Sequence, residues 1–120
     1  MHRILVIEDE KTVRDVIKKI LEKQNYIVDV AENGKIGLGL YNKNPADVVI
    51  TDLFMPEKDG IETLKEILTC NCEAKCIMIS GNFFCNGVNY RKIAEKLGAV
   101  YTFPKPLNFQ ELIVSVEHLL

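Results

Sequence analysis

The sequence predicts an α/β fold in which a parallel five-stranded sheet is covered by helices on both faces. Apolar runs of four or five residues alternate with stretches of helical period, and five such strand-helix units account for the chain without linker, low-complexity tract or other repeat. Its 120 residues fit one ordinary domain, spanning residues 1–120, and its 48% hydrophobic content supplies a core.

The first strand is expected over Arg3 to Ile7, whose Ile4-Leu5-Val6-Ile7 is wholly apolar. The helix after it repeats Val13, Val16, Ile17, Ile20 and Leu21 at helical spacing, and Thr12 with Asp15 resembles a capping box. A second strand runs from Ile27 to Ala31. Its helix, about Lys35 to Lys43, is weakened by Gly37 and Gly39, each costing about 1 kcal/mol relative to alanine. That glycine pair is no phosphate loop: the third glycine is missing and no strand leads into it. Val48 to Asp52 forms the third strand, followed by a helix from Gly60 with Ile61, Leu64, Ile67 and Leu68 inward. The fourth strand is expected over Cys76 to Ser80, with a helix from about Asn89 to Leu97. The fifth covers Val100 to Phe103, and its helix opens on Asn108 as N-cap with Glu111 three residues on.

Several function classes are excluded at this level. Net charge is only -2 with Lys and Arg scattered, which gives no one-sided basic field for nucleic acid. Met1-His2-Arg3 runs straight into a strand, without a signal segment, and no stretch approaches the roughly 20 apolar residues of a membrane span. A cytoplasmic location is expected, with the four cysteines as thiols. Cys70, Cys72, Cys76 and Cys85 do not form a zinc site, because the first three lie at the opposite end of the fourth strand from Cys85. Such a strand spans roughly 16 Å, against Zn-S distances near 2.3 Å.

The chemistry gathers at strand ends. Glu8 and Asp9 close the first strand, Asp52 the third and Ser80 the fourth, while Lys105 follows the fifth. Open α/β sheets place their ligands outside the carboxyl ends of their strands. Taken singly these are ordinary loop residues; their joint occurrence at one end of four strands is what points to a site. Carboxylates gathered there would repel by a few kcal/mol per pair at roughly 4 to 6 Å, so a positive charge must sit among them. A hard divalent cation, Mg²⁺ or Mn²⁺, suits Glu8, Asp9 and Asp52. With it bound, the Asp52 carboxylate could attack phosphorus while Lys105 and Ser80 hold phosphoryl oxygens.

These residues make the chain resemble the receiver domains of bacterial two-component response regulators, including those that stand alone. The resemblance spans residues 1–120 and rests on Ile7-Glu8-Asp9-Glu10, on Asp52 through Gly60, on Ile79-Ser80-Gly81, on Leu97-Gly98-Ala99 and on Lys105-Pro106. It implies a flavodoxin-like, doubly wound sheet of order 2-1-3-4-5. It also implies Asp52 as phosphoacceptor, a metal held by Glu8, Asp9, Asp52 and the Phe54 backbone carbonyl, Ser80 and Lys105 on the phosphoryl group, and a cis peptide before Pro106. The expected function is a phosphorylation-dependent signalling switch, not an enzyme acting on a separate substrate. A histidine kinase or phosphotransfer protein would supply the phosphoryl group and a protein effector would read the result. A homodimer formed on phosphorylation is a further expectation.

The chain departs from the pattern in two places. Many relatives carry an aromatic switch residue three positions before the lysine, where this chain has Thr102; Tyr101 and Phe103 flank it but face the other way in a strand. Residues 81–90 form a longer connection than usual and carry Phe83 and Phe84, which either tuck onto the fourth helix or contact a partner. Other functions fit less well. A phosphohydrolase using an aspartyl phosphate needs a second aspartate two residues on, where Phe54 stands. An FMN carrier would need a phosphate-cradling first loop, and a receiver-like module without phosphorylation is opposed by the complete acid, serine and lysine set. No output domain is expected within these residues, so the signal leaves through a bound partner or a further part of a longer chain.

Overall fold

The computed structural model describes residues 1–55 and 57–120; Pro56, which the sequence places in the loop after Asp52, lies outside the described residues. The elements are β1 (Arg3–Ile7), α1 (Lys11–Glu22), β2 (Ile27–Ala31), α2 (Gly34–Lys43), β3 (Val48–Asp52), α3 (Gly60–Cys70), β4 (Lys75–Ser80), β5 (Phe84–Cys85), β6 (Val88–Asn89), α4 (Tyr90–Leu97), β7 (Tyr101–Pro104) and α5 (Phe109–Leu119). The five long strands pair in parallel in the order β2-β1-β3-β4-β7, which is the expected order once the short β5-β6 ribbon is set apart.

Alternation along the strands divides the core. Leu5, Ile7, Val49, Cys76 and Met78 face a layer containing Tyr41, Leu64, Ile67, Phe83 and Ala94. Ile4, Val6, Val48, Ile50, Ile77 and Ile79 face Ile17, Leu21, Leu112 and Val116. Thus α2, α3 and α4 cover one face of the sheet and α1 and α5 the other, as two-sided burial of a parallel sheet requires. Full burial of each such side chain contributes about 1.5 to 3 kcal/mol. On the second face Tyr101 and Phe103 stack at 5.9 Å. Thr102 pairs in register with Met78 and so shares the first face.

Helix starts are set by side chains that take up free N–H groups. Asn33, Asp59, Asn89 and Asn108 accept from the backbone N–H of Ile36, Glu62, Lys92 and Glu111 at 2.9 to 3.1 Å. The first helix differs from expectation. It begins at Lys11 after Glu10, which makes no side-chain cap, and Thr12 lies inside the first turn. Asp15 closes no capping box but pairs with Lys11 at 2.6 Å. Gly37 lies inside α2 as a packing position, where a Cβ would meet Ile7 Cδ1 at 2.4 Å. Two strand starts also move: β4 begins one residue early at Lys75, and Val100, half-exposed, precedes β7 although its N–H reaches Cys76 O at 2.8 Å.

The connection over residues 81–90 is more ordered than a polar loop. Phe84–Cys85 and Val88–Asn89 pair antiparallel. Asn86 and Gly87 both have positive φ, 51° and 76°. An Asn-Gly pair with both residues in that region is the usual two-residue hairpin turn, so the signal was present in the sequence. The two phenylalanines separate: Phe83 is buried at 5% exposure and Phe84 exposed at 63%. Phe83 is therefore a core residue, which removes it as a direct partner contact.

Candidate functional site

Strand register brings the site together. Ile7 pairs with Thr51, Asp52 with Ile79 and Ser80 with Pro104, so Glu8, Asp52, Ser80 and Lys105 emerge at neighbouring rungs of one sheet end. The loop after β3 is held close. Gly60 N–H donates to Leu53 O at 2.7 Å. A Cβ on Gly60 would come within 2.1 Å of Asp52 O, so only glycine lets α3 start so near the strand end.

Each predicted side chain has a defined place. Asp52 is buried; its Oδ1 accepts from Leu53 N–H at 2.9 Å and its Oδ2 lies 3.3 Å from Lys105 Nζ. Glu8 is fully buried, with Oε1 2.5 Å from the same ammonium and Oε2 accepting from Glu10 N–H at 3.2 Å. Oε1 otherwise has no hydrogen-bond partner. Asp9 is exposed, yet Glu8, Asp9 and Asp52 each offer an oxygen within 4.8 Å of one another. Lys105 is tied to the end of β4 by its N–H, which donates to Ser80 O at 2.8 Å, and the peptide joining it to Pro106 is cis. Ser80 Oγ is buried and turned toward the β5-β6 side, accepting from Asn82 N–H and donating to Asn82 O, both at 3.1 Å. Phe54 sits two residues past Asp52, its half-exposed ring edge-on to Tyr90 at 5.2 Å.

The electrostatics follow from this crowding. Burial pushes the Asp52 carboxyl up to about 8, and the Glu8 charge adds to the shift. Burial also works to raise Asp9, but hydrogen bonds with Glu8 and Asp52 outweigh it and hold that group below the usual carboxylate range. Lys105 is drawn down by burial and more strongly up by its bonds to Glu8 and Asp52, ending above its ordinary value. The positive charge that the acids need is partly supplied by this ammonium, which bridges the two buried carboxylates. The buried Glu8 carboxylate, with oxygens of Asp9 and Asp52 within 4.8 Å, offers the all-oxygen donor set that a hard divalent cation takes.

Sequence reasoning missed three contributors. Arg14 Nη1 donates to Glu8 O at 2.9 Å and braces the first acidic turn from α1. Asn82 holds the Ser80 hydroxyl, and Tyr90 touches Phe54. Arg14 and Asn82 act at backbone atoms, and Tyr90 through a ring contact set by the fold, so none carried a motif. Cys70 and Cys72 are exposed at the far end of the sheet, while Cys76 is buried, its thiol pushed up by burial to about 12. Among the described residues, the carboxylate group named above contains no cysteine and no group of three potential metal ligands does.

Residues 4–117 match the response regulator receiver domain family. Protein CcdB of Bacillus subtilis is 36% identical over 124 residues, covering 100% of this chain and 98% of that protein. The transcriptional regulatory protein CpxR of Escherichia coli is 30% identical over all of this chain, which spans only 50% of it. Among solved structures, response regulator protein TrrA from Thermotoga maritima, in complex with Mg²⁺-BeF, superposes with a TM-score of 0.87 at 34% identity, with 100% of both chains covered. The chain spans about half the length of several such curated relatives. Among the described residues, no helix is long and apolar enough to cross a membrane.

Proposed function

The chain belongs to the response regulator receiver domain family of two-component signalling, and from that premise we propose that Asp52 is its phosphoacceptor within a receiver formed by residues 1–120. The single observation that carries this reading is the placement of a buried Asp52 between a second acid pair and the Lys105 ammonium.

Glu8, Asp9, Asp52 and the Phe54 backbone carbonyl would hold Mg²⁺ or Mn²⁺. When bound, the cation supplies charge neutralisation for the oxygens of a transferring phosphoryl group. An Asp52 carboxylate oxygen forms the new bond to phosphorus as the bond from phosphorus to the donor breaks, and the donor leaves with that electron pair. A phosphohistidine of a partner kinase or phosphotransfer protein, or a small acyl phosphate, serves as donor. Lys105 exchanges part of its pairing with Asp52 for a phosphoryl oxygen, and Ser80 donates its hydroxyl to another. Glu8 keeps Lys105 in place during this exchange. The resulting aspartyl phosphate adds charge and acceptor oxygens next to Ser80 and Lys105, which biases the domain between two conformations read by a protein effector or by a longer chain's output region.

Incubation with acetyl phosphate and Mg²⁺, followed by intact mass measurement, tests the assignment. A phosphate adduct is expected in wild type and absent in Asp52→Asn or with EDTA; an adduct that persists in Asp52→Asn would overturn it.

A further inference from the structure

A hydroxyl has one proton to donate. The Ser80 hydroxyl gives it to Asn82 O at 3.1 Å. Engagement of a phosphoryl oxygen by Ser80 therefore breaks that bond, and the site has two exclusive arrangements. We propose that Phe83, tethered to Ser80 through Asn82, is the residue that reads phosphorylation at Asp52 and passes it to the β5-β6 hairpin and α4. This rests on the reading of Asp52 as phosphoacceptor.

Four observations converge on Phe83. Its ring is buried in the cluster that contains Met78 and Ala94, on the same face of the sheet as Thr102. Thr102 carries no ring there, so on this face of the sheet the aromatic group beside Ser80 comes from the loop and not from β7. The Phe83 carbonyl accepts from Tyr90 N–H at 2.8 Å, and the Tyr90 ring meets Phe54, two residues past Asp52. The loops on both sides of the acceptor thus reach the hairpin base.

Arg91 lies over the Phe83 ring at 5.1 Å, with a buried Nε that has no hydrogen-bond partner. A cavity of about 260 Å³ lined by Ser80, Asn82, Phe83, Arg91 and Pro104 gives the ring and the Asn82 peptide room to move. Asn82 Oδ1 also accepts from Phe84 N–H at 3.0 Å, so the first hairpin strand moves with it and carries the exposed Phe84 ring. The required differential interaction is the Ser80 hydroxyl's choice between Asn82 and the phosphoryl group.

Beryllofluoride with Mg²⁺ is the probe, read by the fluorine resonance of the bound ion and by amide exchange across residues 84–89. Wild type should show the bound resonance and a change of at least about fivefold in hairpin exchange rates. Phe83→Leu, which keeps the core filled, should retain the resonance while the exchange change falls below about twofold. Thr102→Ala should respond as wild type does. A full hairpin response in Phe83→Leu, or a bound resonance in wild type with no hairpin change, overturns the coupling. Loss of the response in Thr102→Ala also overturns it and assigns the signal to β7. A wild type without any bound resonance overturns the phosphoacceptor reading itself, and the coupling with it.

Discussion

Asp52 and Lys105 carry the resting energetics of the site. A carboxyl raised from its ordinary 3.8 to about 8 in the fold binds its proton more tightly folded than unfolded. Its contribution favours the fold at low pH and is lost as pH rises across that interval. Asp9, with its pKa lowered, works the other way only below the usual carboxylate range, and Lys105, raised, only above the usual lysine range. Between those limits Asp52 dominates. Urea unfolding in EDTA should therefore show wild-type stability falling from pH 5 to pH 8. The Asp52→Asn profile should be flatter, with a gain of about 1 to 3 kcal/mol at the upper end. Lys105 competes with any incoming cation because it already contacts Glu8 and Asp52. Lys105→Ala should bind Mg²⁺ about tenfold more tightly by titration, the equivalent of about 1.4 kcal/mol, whereas Asp9→Ala should bind it more weakly than wild type.

At the scale of elements, α3 starts in close contact with the end of β3. The Gly60 position leaves no room for a methyl group beside Asp52 O. Gly60→Ala should cost about 2 to 4 kcal/mol in thermal unfolding through overpacking against backbone. It should also weaken Mg²⁺ binding, since the loop carrying Phe54 must move. Gly87→Ala forces an L side chain into positive φ and should cost about 1 kcal/mol, with the loss confined to amide protection in the hairpin. Strands and helices were legible in the sequence because apolar runs and helical periods mark them directly, and Asp59, Asn89 and Asn108 stand where caps are needed. The first helix was misjudged at its start because Thr12 and Asp15 have capping chemistry, while the acidic turn before them, braced by Arg14, decides where the helix begins. The hairpin was missed although Asn86-Gly87 announced it, since two-residue strands leave no periodicity to see.

Across the whole molecule, the site residues were readable one by one, and the sheet order turns them into a constellation. Glu8, Asp52, Ser80 and Lys105 meet because β1, β3, β4 and β7 are lateral neighbours in register. What could not be read was which partner each polar atom would choose: Lys105 across both buried acids, or the Ser80 hydroxyl on Asn82. Those choices depend on rotamers, which leave no pattern in sequence. Truncation after Gly98 should remove β7, leave β4 as an uncovered edge and abolish Mg²⁺-dependent gain in melting temperature, measured by calorimetry.

The position of Lys105 late in the chain has a consequence during synthesis. The acids of β1 and β3 leave the ribosome well before the ammonium that bridges them does, at about 5 to 20 residues per second. For that interval the nascent chain holds buried-to-be carboxylates without the ammonium that later bridges them, and protons or a cation can take its place. Docking of β7 on β4 is thus the step at which a growing polypeptide supplies part of its own counter-charge at this end of the sheet.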